Sequence, residues 1–495
     1  MATALLSEAA DGATAAEHFD VIVVGAGLSG IAAAYYLQKR TSMKSFAILE
    51  GRDSIGGTWD LFRYPGVRSD SDMHTLGYSF RPWPSDRRIT DGPSILQYVR
   101  ETAQAYGLTE KIRLGHRVVG ASWSSRDAGW TLETVVASDG TSRRFTCRFL
   151  FTCSGYYDYA AGYQPEWADR DRFAGRFVHP QRWPGDLDYA GKRVVIVGSG
   201  ATAVTLAPAM AESAAHVTML QRSPTYVVSR PTIDSIAAWA QRRLPGPIAG
   251  ALVRWKNVLF GMFFFALSRK RPERVKKMIL DGIRQHLGPE YDVATHFTPA
   301  YKPWDQRMCL VPDADLFTAI REGKVSIVTD QIESFTETGL RLRSGRSLEA
   351  DVVVGATGLN IQLMGGMKLD VDGEPVDLGS KLNYKGMMYS DVPNLASAFG
   401  YTNASWTLKC ELTAKYVCRL LKYMDARGYV SCMPRRDPTI GEQPALDFNS
   451  GYVLRAQALL PKQGTRKPWR LYQNYFLDLA SLRFGKLADG VMEFA

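Results

Sequence analysis

The hydrophobic pattern repeats one unit twice. In residues 19–30, FDVIVVGAGLSG, an apolar run from Val21 to Val24 leads into three spaced glycines. The helical pattern IAAAYYLQKR follows. A continuous apolar run of four residues, bounded by glycine, predicts a buried strand, and the following spacing predicts an amphipathic helix. A second strand, SFAILE, ends at Glu50. The same sequence of events recurs at GKRVVIVGSGATAVTLAPAMA, where a strand over Arg193–Val197 feeds a glycine-rich turn and a helix. The next strand, HVTML, ends in Gln221-Arg222-Ser223.

Residues from about 226 to 320 read as helix-rich, without strand alternation. Strands return at KVSIVTD and in LRLRSGRSLEADVVVGATG, whose run Asp351–Gly355 has a buried-strand pattern before a sharp Ala356-Thr357-Gly358 turn. SWTLKCELTAKYVCRLLKYM predicts an amphipathic helix, and PKQGTRKPWR a loop. The predicted fold is α/β. It has two dinucleotide-binding, Rossmann-like domains with a helical insertion. The expected division is a disordered leader at 1–17, a discontinuous first domain at 18–155 and 385–495, a second at 156–225 and 325–384, and the insertion at 226–324.

Each turn is suited to one dinucleotide. In the first, Gly25 permits the sharp turn, Gly27 admits a pyrophosphate, and Gly30 lets helix and strand pack closely. The helix N-terminus offers free N–H groups to the anion. Glu50, about twenty residues on, is placed to bind a ribose diol. In the second, Gly198, Gly200 and Ala203 take the three positions, with Thr202 beside them. Arg222 and Ser223 stand where an acid would select an unphosphorylated ribose. A guanidinium there suits a 2′-phosphate and therefore NADPH; the other reading of Arg222 is a surface arginine in a chain with 60 Lys and Arg. Two turns in one chain point to a flavin and a nicotinamide, FAD and NADPH.

Composition adds bounds. A chain of 495 residues suggests two or three domains. Its net charge of +10 suits two polyanionic cofactors or an anionic membrane surface. No nucleic-acid recognition motif is present. The six cysteines form no C-x-x-C pair and no zinc spacing, so neither a metal site nor a disulfide-reductase reading is expected. Reduced thiols and a leader without signal-peptide features point to the cytoplasm. VLFGMFFFAL, Val258–Leu267, is flanked by basic residues but spans only about half the length needed to cross a bilayer. It reads as a buried helix, or as a peripheral membrane patch or entrance lip. Oligomeric state is not legible.

Between the two units, Phe173-x-Gly175-x-x-x-His179-x-x-x-Trp183-Pro184 resembles the fingerprint of type I Baeyer–Villiger flavin monooxygenases. Related N- and S-oxygenating flavin monooxygenases carry Phe or Tyr at the position of Trp183. Gly56-Gly57-Thr58-Trp59, Arg63-Tyr64-Pro65-Gly66, Asp70 and the turn through Thr357 and Gly358 are similar to that family as well. Segments such as LFTCSGYYDY, WDQRMCLVP and GYTNASWTLK resemble the actinobacterial ethionamide-activating subgroup.

The resemblance implies a reaction in which NADPH reduces the flavin and O2 gives a flavin peroxide. That species inserts oxygen into a ketone to give an ester or lactone, or passes oxygen to sulfide or thioamide sulfur. The alternative is an S/N-oxygenating enzyme whose main reaction is sulfoxidation. The family's catalytic arginine falls on Arg307, and its carboxylate partner on Asp70. Gly57, Thr58, Trp59, Asp70, Thr357 and Gly358 are expected near the cofactors. Phe173, Gly175, His179 and Trp183 are expected to couple the domains. Asn403 and Trp406 are expected near flavin or substrate, and Trp469 on a lid over NADP. One departure stands out. Many members have Lys where this chain has Gln306, which leaves more of the 2′-phosphate to Arg222.

Overall fold

The computed structural model describes residues 16–41, 45–446 and 450–495. The expected leader lies outside the described residues except at its end, where Glu17 already begins a strand.

Strand Glu17–Val24 lies inside a nine-stranded sheet, parallel to Phe46–Leu49 on one side and to Ser142–Thr152 on the other. Three antiparallel strands, His116–Ser124, Gly129–Val136 and Ser142–Thr152, extend it. Leu395–Ser397 returns from far along the chain to pair with Ser142–Thr152. Helix Leu28–Arg40 covers one face and packs on the amphipathic helix Trp406–Asp425. Ile31, Tyr36, Tyr416 and Leu420 are buried in this core. Each such side chain contributes about 1.5–3 kcal/mol through burial.

The second sheet is wholly parallel, in the order Val325–Thr329, His216–Gln221, Arg193–Val197, Val352–Gly355, Arg176–Val178. Its central strands, Val194–Val197 of Arg193–Val197 and Val352–Gly355, are apolar and buried on both faces, as a sheet flanked by other elements on both sides requires.

The layout differs from the sequence reading in three places. Lys368–Val371, expected with the second unit, pairs in parallel with His116–Ser124 of the first sheet and is followed by the edge strand Glu374–Pro375. Four residues are too few for the alternation to reveal which sheet they join. The helix-rich stretch 226–324, expected to lack strands, holds two: Val227–Arg230 and Cys309–Pro312 pair in parallel across it. The apolar segment Val258–Leu267 is the second half of a 25-residue helix, Gly246–Lys270.

Candidate functional site

Both glycine-rich turns open onto one cavity of about 930 Å³. The individual glycines sort by what a side chain would strike. Gly25 has φ +102°, and a Cβ there would sit 2.7 Å from the Cys153 carbonyl oxygen. At Gly30 it would lie 1.8 Å from the Gly25 carbonyl oxygen. Gly198, at φ +145°, is likewise closed off by the Ala356 carbonyl. These three are demanded by the fold. Gly27 and Gly200 are different. A Cβ at Gly27 would meet nothing closer than 3.6 Å, and one at Gly200 nothing within 4 Å. Protein packing does not require glycine at either, and both line the cavity. Close approach of a ligand backbone, such as a pyrophosphate over a helix N-terminus, supplies the reason. The two cradles therefore fit two dinucleotides.

Glu50 is buried at the end of its strand. One carboxylate oxygen accepts the Ala26 N–H at 2.7 Å and the other the Arg52 N–H at 3.0 Å. Burial pushes its pKa up, opposed by these two bonds. The carboxylate is thus fixed at the cavity wall beside the first turn. Gly57, Thr58 and Trp59 line the same wall. Gly57 has φ +56°, and its Cα faces Gly27 closely enough that a Cβ would come within 3.2 Å. Asp60, at the end of this segment, is fully buried and clamped by Arg52 at 2.6 Å and Arg63 at 3.1 Å.

On the second unit, Thr202, Arg222, Ser223 and Gln306 line the cavity, with Arg222 and Ser223 at its exposed rim. The Ser199 hydroxyl donates to the Ser223 carbonyl at 3.1 Å, which ties the turn to the segment carrying Arg222. Ala203 is buried inside the helix. The Thr357 hydroxyl donates to the Tyr163 carbonyl at 2.6 Å, and the Tyr163 N–H to the Gly358 carbonyl at 3.0 Å. Gly358 has φ +105°, with open space where its Cβ would be.

The two units meet at the loop 63–70. Gly66, at φ +73°, lies so close to the second unit's helix that a Cβ would be 2.7 Å from that of Ala209. Burial pushes the Tyr64 phenol up to about 12, opposed by its hydrogen bond to Thr202. The loop thereby delivers Asp70 to the junction. There Arg307 Nη2 meets Asp70 Oδ1 at 3.0 Å. Both line the cavity, so the accessible part of the guanidinium faces its interior. The Asp70 charge raises the Arg307 pKa despite burial. Arg307 is a permanent cation on the cavity wall.

Three tyrosines surround this cation, and the sequence reading assigned none of them a role. The Tyr156 and Tyr157 hydroxyls are 2.8 Å apart. Tyr452 lies on the same wall and interacts with Arg307. Burial raises all three phenol pKa values, so they remain neutral. Tyr156 and Tyr157 lie in the segment GYYDY, where a run of aromatics after the strand is a visible signal. Nothing near Tyr452 marks it, because its contact with Arg307 bridges 145 positions of the chain. Trp406 completes the wall: its ring stacks on Tyr156 at 5.0 Å, and its indole N–H donates to Ser29 at 2.9 Å.

The motif at 173–184 forms the edge of the second sheet. Phe173 is buried with Val195, Val353 and Phe335. A Cβ on Gly175 would strike the Phe173 ring at 2.4 Å. His179 lies against Gly162, in the crossover strand Tyr157–Gly162, and accepts the Gln181 N–H on Nδ1 at 3.2 Å. Its Nε2 is buried and makes no well-aligned hydrogen bond among the described residues, with the Gly358 and Tyr163 backbone beside the ring. Burial lowers its pKa. Trp183 is partly buried against the second unit's core. Neither His179 nor Trp183 lines the cavity.

Two expected residues lie elsewhere. Asn403 donates to the Gln473 carbonyl at 2.9 Å and does not reach the cavity wall. Trp469 is fully buried, edge-on to Tyr384 at 5.7 Å and behind Gly464. The lid expectation for Trp469 is corrected: a residue anchored in the core of the first unit does not cover the cavity. All six cysteines are free and buried. Cys153 and Cys309 line the cavity, and burial raises both thiols, Cys309 to about 12.

Comparison with known proteins agrees with this layout. The NAD(P)-binding Rossmann-like domain family matches residues 23–86. The chain is 54% identical over 481 residues to the FAD-containing monooxygenase EthA of Mycobacterium tuberculosis, covering 97% of this chain and 98% of the relative. It is 47% identical to the probable FAD-binding monooxygenase AlmA of Acinetobacter baylyi, covering 97% and 96%. In fold it is similar to an oxidized steroid monooxygenase bound to NADP, with a TM-score of 0.76, 22% identity, and coverage of 96% of this chain and 99% of that one. The open crystal structure of cyclohexanone monooxygenase is also similar, at a TM-score of 0.72 and 18% identity, covering 97% and 100%.

Proposed function

We propose, for a chain that belongs to the FAD-containing monooxygenases of the EthA type, that FAD takes the arm of the cavity at Gly25–Gly30 and NADPH the arm at Gly198–Ala203. The proposed reaction inserts one oxygen atom of O2 into ketones to give esters or lactones. The same site oxidises sulfides and thioamides to S-oxides. The observation that carries this reading is the Arg307–Asp70 pair, held at 3.0 Å where the two arms join.

The residues of the first arm would hold FAD, which when bound would supply the redox chemistry between the nicotinamide and dioxygen. The protein's own residues do the rest. Glu50 holds the ribose of the first dinucleotide, and Arg222 with Ser223 the 2′-phosphate of the second. Oxygen insertion into a carbonyl develops negative charge on the carbonyl oxygen. A guanidinium fixed in place stabilises that charge without reorganising. Asp70 orients Arg307 and offsets its charge while no substrate anion is present. Tyr156, Trp406 and Tyr452 exclude water from this corner. The packing of His179 on the crossover strand fixes the angle between the two units, a positioning role.

The aromatic wall favours sulfur oxidation as a second reading, since soft sulfur packs well against aromatic rings. The test is turnover of the purified holoenzyme with NADPH under isotopically labelled dioxygen, offering one cyclic ketone and one aryl sulfide. One labelled oxygen atom in the ester supports the first reading, and in the S-oxide alone the second. NADPH consumption with no labelled product from either refutes both.

A further inference from the structure

Helix Gly246–Lys270 presents two unlike faces. Ala249, Val253 and Val258 are buried inward. Ile248, Leu252, Trp255, Leu259, Phe260 and Phe263 face outward, between 40% and 65% exposed. Their spacing follows the helical repeat, so they form a single stripe about 22 Å long. The stripe continues onto a neighbouring helix, where Phe476, also exposed, stacks on Trp255 at 5.9 Å. Contiguous exposed apolar surface of this extent marks an interaction site.

The charges around it select the partner. Residues 235–272 contain seven Lys and Arg and no Asp or Glu. Two of them serve the inner face: Arg254 pairs with Glu411 at 3.2 Å, and Lys256 pairs with Asp234. Arg242 and Arg243 are exposed before the stripe, and Lys270 and Arg271 after it. An apolar stripe with cations at both ends complements a surface that is apolar in depth and anionic at its boundary.

The helix is long and apolar enough to cross a bilayer by length and composition. Its inner face forbids that. Arg254 is buried and also donates to the Gly77 carbonyl at 2.6 Å, so the helix is fastened along the protein. We infer that this helix lies in the plane of an anionic membrane and docks the protein on it through the stripe from Ile248 to Phe263.

Docking would also place the reactive corner near the lipid. Phe265, on the same helix, meets Trp304 edge-on at 5.6 Å, and Arg269 pairs with Asp305 at 2.7 Å. The loop they hold carries Gln306 and Arg307.

The experiment is flotation of the full-length holoenzyme with vesicles of equal parts phosphatidylglycerol and phosphatidylcholine, and with phosphatidylcholine alone. The protein is expected to float with the anionic vesicles and to be released by salt. The Leu259→Ser/Phe263→Ser variant is expected to lose vesicle binding by about ten-fold or more while keeping its flavin. Leu114→Ser, at an exposed apolar residue of the first unit, should bind like the parent. A second variant, Arg242→Gln/Arg243→Gln/Lys270→Gln/Arg271→Gln, should lose binding to the anionic vesicles, and it probes the surface without touching the stripe. Absence of flotation overturns the inference, as does undiminished flotation of both variants. Sedimentation velocity supplies the remaining arm: a dimer abolished by Leu259→Ser/Phe263→Ser, in a protein that does not float, would make the stripe a contact between copies and overturn it too.

Discussion

Arg307 and Asp70 stand 237 positions apart in the chain and meet at 3.0 Å in the cavity. The loop bearing Asp70 is wedged against the second unit's helix through Gly66, and the loop bearing Arg307 is pinned by Asp305 and Trp304. Their meeting thus reports the relative placement of both units. Asp70→Asn keeps the shape and removes the charge that holds the guanidinium. Product formation should fall by about 10²-fold, with smaller effect on the rate of flavin reduction by NADPH. Rapid-mixing kinetics of the two half-reactions check this.

Arg222 stands at the rim beside the second turn. Arg222→Ala should raise KM for NADPH by about ten-fold or more and leave KM for NADH nearly unchanged, since a lost charge-assisted bond to phosphate is worth about 1.5–3 kcal/mol. Equal changes for both nucleotides would argue against a phosphate contact.

Gly27 and Gly25 should respond differently to alanine. At Gly25 the new methyl strikes the Cys153 carbonyl and the backbone is left-handed. Gly25→Ala should lower the melting temperature. Gly27→Ala meets no protein atom closer than 3.6 Å, so the apoprotein should keep its stability but bind flavin more weakly. Thermal melts of the apoproteins with a flavin titration separate the two effects.

Trp469→Ala should destabilise the protein by about 3–5 kcal/mol, the cost of removing a buried large aromatic side chain. KM for NADPH should change little. A normal melting profile with a raised KM would instead restore a lid role.

His179 carries a depressed pKa because it is buried. Its neutral form is the folded form. Between the unfolded value near 6.5 and the lower folded value, the unfolded chain binds the extra proton. Its contribution to stability is therefore present above about pH 6.5 and lost as pH falls below it. His179→Asn should show a smaller loss of urea midpoint between neutral and mildly acidic pH than the parent. It should also slow oxygenation while flavin binding is retained, as the contact with Gly162 is lost.

The repeated strand, turn and helix were legible because each is local: the apolar run, the glycines and Glu50 lie within some thirty residues. The Arg307–Asp70 pair was not legible from spacing, and only resemblance to a family brought the two together. Tyr452 reaches the cavity through tertiary folding that no local pattern records. Trp469 misled because its neighbours Lys467 and Arg470 are charged, while the fold turns the indole inward against Tyr384. The long helix was under-read because Arg254 and Lys256 interrupt its apolar run. Both point to partners, Glu411 and Asp234, that only the fold supplies.

The most direct test of the account is the coupling of NADPH oxidation to product in Arg307→Ala, measured with a ketone and a sulfide beside hydrogen peroxide release. The account predicts that flavin is still bound and still reduced by NADPH, that ester formation is abolished, and that the reducing equivalents appear as hydrogen peroxide. Ester formation at the parent rate in this variant would contradict it.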